Sequence, residues 1–148
     1  MYLPDLITSV PDLQTARILA AAGVDYIAFH QNIENLEDIK PWLEGPQIGV
    51  EITDPDLSLP NADFLIMPLE WYDLFSFSNR PILWKTGGDT GQMPENLLLV
   101  KGSIMEETEP TEGIRFYHYS DYTGSEAVTA KAWLDYKDDL SLFEELFL

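Results

Sequence analysis

The stretch Ile7-Thr8-Ser9-Val10-Pro11-Asp12, continued by Ala20-Ala21-Ala22-Gly23-Val24-Asp25-Tyr26-Ile27-Ala28-Phe29, decides the fold. It reads as strand, helix, strand. The apolar run Tyr2 to Thr8 ends where Ser9 and Asp12 have the spacing of a capping box, which predicts a helix over Pro11 to Ala22. Leu13, Ala16, Leu19 and Ala20 share one face of that helix, and small alanines permit close approach to a sheet. Gly23 is placed to end it, because glycine takes the left-handed conformation that closes a helix at little cost. A second apolar run, Asp25 to His30, follows at once.

Further short apolar runs are expected to be strands: Gln47 to Thr53, Asp63 to Met67, Pro81 to Lys85, Asn96 to Lys101 and Gly113 to Tyr119. In Phe64-Leu65-Ile66-Met67 and Leu97-Leu98-Leu99-Val100 every position is apolar, the pattern of parallel strands covered on both faces. The intervening segments are near the lower limit for right-handed crossovers. Glu34 to Leu43 is a shorter helix limited by Pro41, Trp71 to Phe77 a half-turn or packed loop, and Ser125 to Tyr136 a helix with Ala127, Ala130, Trp133 and Leu134 at helical spacing. Leu140, Leu142, Phe143, Leu146 and Phe147 form a closing apolar stripe. The reading of these runs is α/β with a parallel sheet. No repeat or linker divides the chain, so residues 1–148 form one domain.

Composition narrows the function classes. The 148 residues carry 26 Asp+Glu against 8 Lys+Arg, a formal charge of -18 that repels nucleic acid and anionic membrane surfaces. Hydrophobic residues make up 45% of the chain, too many for a disordered polymer. Cysteine is absent, which excludes a disulfide framework, a thiolate metal site and a cysteine nucleophile. Asp5 stands where a signal peptide needs a basic region, and no apolar run approaches ~18 residues, so a cytoplasmic location is expected. His30 and His118, amid aromatics, read as packed or surface residues, and two histidines with scattered carboxylates give no metal-ligand spacing. No metal or cofactor is expected.

In so acidic a chain the placement of cations is informative. Lys85 and Lys101, two of only five lysines, each end an apolar run immediately before a glycine-containing loop, as a phosphate or carboxylate site would require. Gly87 and Gly88, in Gly87-Gly88-Asp89-Thr90-Gly91, allow backbone N–H groups to approach an anion closely.

The opening unit resembles the first βαβ unit of phosphoribosylanthranilate isomerases, where a strand ending Gly-Ile-Thr leads through Pro-Glu-Asp into an alanine-rich helix, then Ala-Gly-Ala-Asp and a strand ending Gly-Phe. Ile82-Leu83-Trp84-Lys85-Thr86-Gly87-Gly88-Asp89-Thr90-Gly91 is similar to that family's late strand and Gly-Gly-Thr-Gly loop with one Asp inserted. Leu98-Leu99-Val100-Lys101-Gly102-Ser103 falls where the family has an apolar strand and its phosphate-binding Gly-Gly. The resemblance implies a small parallel (β/α) barrel, TIM-barrel-like, with shortened or missing helices and fewer than eight strands as an alternative in so short a chain, and a phosphate near Lys101, Gly102 and Ser103.

The catalytic positions depart from the family. The general-base cysteine falls on Asp5, with Leu6 for the glycine; the general-acid aspartate falls on Trp84 or Lys85; Ile66-Met67-Pro68 replaces Gln-Leu-His. The expected function is therefore a divergent isomerase-like barrel that binds a phosphorylated sugar or other small anion without the isomerase activity. One alternative is a noncatalytic acidic interaction domain that homodimerises through apolar surface left by missing helices. The other is an active sugar-phosphate isomerase using Asp5, on the C-terminal half of the first strand, and Lys85 as its acid–base pair.

Overall fold

In the computed structural model the described residues are 3–54, 60–68, 71, 81–86, 96–100, 114–120 and 131–148. They form an α/β fold in which a curled, largely parallel sheet carries few helices. The strands are β1 (Leu6–Val10), β2 (Tyr26–His30), β3 (Gln47–Glu51), β4 (Phe64–Pro68), β5 (Ile82–Thr86), β6 (Asn96–Val100), β7 (Ile114–His118) and β8 (Lys131–Asp135). The helices are α1 (Leu13–Ala21), α2 (Leu36–Ile39), extended by a 3-10 turn over Lys40–Trp42, and α3 (Leu140–Phe147). Hydrogen bonding follows chain order from β1 to β8 and returns from β8 to β1.

Two layers of apolar side chains explain the arrangement. Successive residues of a strand face opposite sides. Leu6, Ala28, Phe64, Ile66, Leu83 and Phe116 pack together on one side, with Tyr26 and Trp133 against them. Ile7, Ile27, Phe29, Val50, Leu65 and Met67 pack on the other, under Ala16 and Leu19 of α1 and Phe143 of α3. Strands buried on both faces need the consecutive apolar residues that Phe64-Leu65-Ile66-Met67 supplies, all four fully buried. Gly49 is required on the inner side, since a Cβ there would overlap the ring of Phe64.

Helix α1 forms as its sequence dictates, with one change. The cap is Asp12, whose carboxylate accepts the Thr15 N–H at 2.8 Å, and Ser9 takes no part. At the other end Gly23 (φ 88) donates its N–H to Ala20 O and Val24 donates to Leu19 O, both at 3.1 Å, a Schellman closure.

Two expectations are corrected. The parallel orientation expected for Asn96 to Lys101 is wrong: β6 runs antiparallel to both neighbours, pairing Thr86 with Asn96 and Ile82 with Val100. The segment between β5 and β6 is too short for a crossover helix but ample for a hairpin. The helix expected over Ser125 to Tyr136 is also wrong at its described end, where residues 131–135 are β8, parallel to β7 and β1. Ala132 and Leu134 are buried there while their neighbours are half-buried, the alternation of a strand. The expected half-turn over Trp71 to Phe77 lies, beyond Trp71, outside the described residues.

Candidate functional site

Strand β1 is regular only as far as Thr8. Its register against β2 shifts between Ile7 and Val10, and Ser9 adopts φ 57, a left-handed conformation that disfavours any residue with a Cβ. The strain is held in place by Asp135, at the end of β8. Its Oδ2 accepts the hydroxyls of Thr8 at 2.8 Å and Ser9 at 2.7 Å, and its Oδ1 accepts the N–H groups of Lys137 at 2.9 Å and Asp138 at 2.8 Å. Four donors on one carboxylate fix its direction.

Asp139, immediately before α3, extends the network. Its Oδ2 accepts the Asp135 N–H at 3.1 Å and lies 2.9 Å from His118 Nε2, at the end of β7. The Ser120 N–H points to His118 Nδ1 at 3.2 Å, so the neutral ring carries its proton on Nε2 and donates it to Asp139. The Trp133 indole and the His118 ring meet edge to face with centroids 5.0 Å apart, and the indole Nε1 is buried with no hydrogen-bond partner among the described residues.

Beside this network opens a cavity of about 500 Å³, within the range of small-molecule sites. It lies at the carboxyl ends of β1 and β2 and the turn from β8 into α3, and in parallel α/β sheets ligands bind outside the carboxyl ends of the strands. Its polar lining is Ser9, His30, Asn32, Glu34, Tyr136 and Lys137. Val10, Pro11, Ile33 and Leu140 supply the apolar wall. His30 Nδ1 faces the Asn32 N–H at 3.3 Å, which leaves Nε2–H as the donor of the neutral ring. Lys137 is exposed and Glu34 is exposed, so each reaches the cavity from its rim.

Asp5, singled out from sequence, does not line this cavity, whereas His30 does. Asp5 precedes β1, at the end opposite Ser9, which corrects its expected place on the C-terminal half of the strand. There it clamps β8: its N–H donates to Ala132 O at 2.9 Å and its Oδ2 accepts the Ala132 N–H at 2.9 Å. Asp63, immediately before β4, does the same to Ile48 of β3, donating its N–H at 2.7 Å and accepting on Oδ2 at 2.9 Å.

Lys85 is the fourth residue of β5, in register with Pro68 and Leu97. Because β6 is antiparallel, Val100 pairs with the first residue of β5, so β6 ends at the opposite end of β5 from Lys85. Gly87, Gly88, Lys101, Gly102 and Ser103 lie outside the described residues. No group of three or more His, Asp or Glu among the described residues is placed to hold a metal ion. No helix among them is long and apolar enough to cross a membrane.

Sequence reasoning missed Tyr136 and Lys137 because it assigned them to the end of a helix and the turn beyond it. Ser9 was visible only as a helix cap. The available signal was Thr8-Ser9 at the end of one strand and His30 at the end of the next, two polar residues ending apolar runs. No family model, curated protein or solved structure matches the chain.

Proposed function

We propose that the chain is a compressed, divergent barrel of phosphoribosylanthranilate isomerase-like descent that binds a small organic anion without the isomerase activity. The cavity at the carboxyl ends of β1 and β2 carries this reading, because it brings Lys137 and His30, scarce donors in a chain of charge -18, to an apolar wall. Lys137 meets a carboxylate or phosphate, and His30 Nε2–H adds a directed hydrogen bond. Asp5 takes no role in this chemistry, since its carboxylate is bound to the β8 backbone away from the cavity. The antiparallel β6 is the principal departure from a (β/α) barrel, in which every strand is parallel.

Thermal unfolding tests the reading with inorganic phosphate, ribose phosphate and anthranilate as probes. Binding to the folded state raises Tm. At least one probe is expected to do so in the wild type and in Lys101→Ala, but not in Lys137→Ala. A shift lost in Lys101→Ala and kept in Lys137→Ala would move the anion to residues 101–103 and overturn the cavity assignment. Absence of any shift would overturn anion binding itself.

One observation favours a second reading, the homodimerising interaction domain. Trp42, on the turn after α2, is 67% exposed, although tryptophan is highly buried on average. Sedimentation velocity of wild type and Trp42→Glu decides it: a dimer that Trp42→Glu dissociates supports this reading, and a monomeric wild type removes it.

A further inference from the structure

We infer that the ligand of this cavity is an apolar amino acid, one that carries an ammonium group and a carboxylate on the same small skeleton. The inference rests on the reading that the cavity takes an organic anion, and adds what stands opposite the cations. The Ser9 hydroxyl has one proton, and it is committed to Asp135 Oδ2 at 2.7 Å. Towards the cavity Ser9 Oγ therefore offers only lone pairs. Glu34, on the same lining, is likewise acceptor-only when ionised. A ligand with an anionic head and nothing else leaves the half-buried Ser9 Oγ without a second donor, which costs affinity, while Glu34, exposed at the rim, keeps its water.

An ammonium group answers this better than a hydroxyl does. Asp135 stands directly behind Ser9, Glu34 is a carboxylic residue on the same lining, and a net charge of -18 favours cations over anions at the protein surface. Lys137 and the Nε2–H of His30 remain for the carboxylate. Val10, Ile33 and Leu140 accommodate an aliphatic or aromatic side chain. The backbone strain at Ser9 (φ 57) is then part of the site: it aims a serine whose proton is already spent, a geometry that a regular strand end would not hold.

The experiment compares L-leucine with two truncated analogues, isocaproate, which lacks the ammonium group, and isoamylamine, which lacks the carboxylate, by calorimetric titration and thermal unfolding. L-leucine is expected to bind roughly tenfold or more tightly than either analogue, the worth of one charge-assisted hydrogen bond. Ser9→Ala, which removes one of the two acceptors and leaves Glu34, is expected to narrow the preference for L-leucine over isocaproate several-fold, and an unchanged preference would overturn the role of Ser9. Ser9→Gly, which adopts the left-handed conformation freely, should behave as Ser9→Ala does and guards against misfolding of the alanine variant. Isocaproate or isoamylamine binding as tightly as L-leucine would overturn the inference. With isocaproate the anion reading survives, whereas with isoamylamine it falls too. If L-leucine and both analogues fail while inorganic phosphate or anthranilate binds, the inference fails alone.

Discussion

At the residue scale, the carboxylates of this acidic chain are unequal, and their partners decide their roles. Asp135 takes four hydrogen bonds and joins β1, the end of β8 and the turn into α3. Hydrogen bonds to a charged group each contribute about 1.5–3 kcal/mol, with strong non-additivity in such a network. Asp135→Ala is expected to cost about 3 kcal/mol in urea unfolding, and a value within about 0.5 kcal/mol of wild type would deny it a structural role. Ser9→Ala loses one of these bonds and keeps the backbone strain, so it should cost about 1 kcal/mol, whereas Ser9→Gly relieves the strain and should cost less. Asp5 belongs to a different class. Like Asp63 it stands immediately before a strand and binds the neighbouring strand through both its N–H and its carboxylate. Asp5→Ala should therefore lower stability by about 1–2 kcal/mol while leaving any ligand-induced rise in Tm unchanged; loss of that rise with the fold intact would restore Asp5 to the site.

At the element scale, the periodicity of apolar residues located elements better than it oriented them. All seven apolar runs became strands, α1 lies within the helix expected over Pro11 to Ala22, α2 lies within Glu34 to Leu43, and α3 falls on the closing apolar stripe. Two kinds of information were illegible. An all-apolar run such as Leu97-Leu98-Leu99-Val100 says that both faces are covered and nothing of direction, so the reversal of β6 escaped notice. Ala127, Ala130, Trp133 and Leu134 satisfy helical spacing, yet Lys131 to Asp135 alternates in burial, and a five-residue segment fits either period. The site was lost through the second error, because Tyr136 and Lys137 follow β8. Packing between elements was equally hidden: nothing in the sequence says that Gly49 must yield to Phe64. Gly49→Ala places a methyl group inside that aromatic ring's volume and is expected to destabilise by about 1–3 kcal/mol. Phe64→Leu in the same chain should recover part of the loss, and a double variant no more stable than the sum of the two single changes would show that the ring is not what excludes the side chain.

At the scale of the whole molecule, the charge of -18 opposes the compact state as well as shaping what binds to it. Twenty-six acidic side chains drawn onto one small domain repel one another more in the folded state than along an extended chain. Salt relieves that repulsion: the screening length falls from about 30 Å at about 0.01 M to about 8 Å at about 0.15 M, less than the span of the domain. Tm is therefore expected to rise with sodium chloride over this interval. The network around Asp135 does not reverse the sign, since its acceptors are matched with hydroxyl and backbone donors rather than with cations that salt would screen away. Under the proposed reading ligand binding has the opposite dependence, because Lys137 would hold its partner from the exposed rim of the cavity. The ligand-induced increment in Tm should shrink over the same interval in which the Tm of the free protein climbs. A fall in the free protein's Tm would mean that attractive pairs outweigh the repulsion. An increment insensitive to salt would mean that the ligand is held by the apolar wall and not by Lys137.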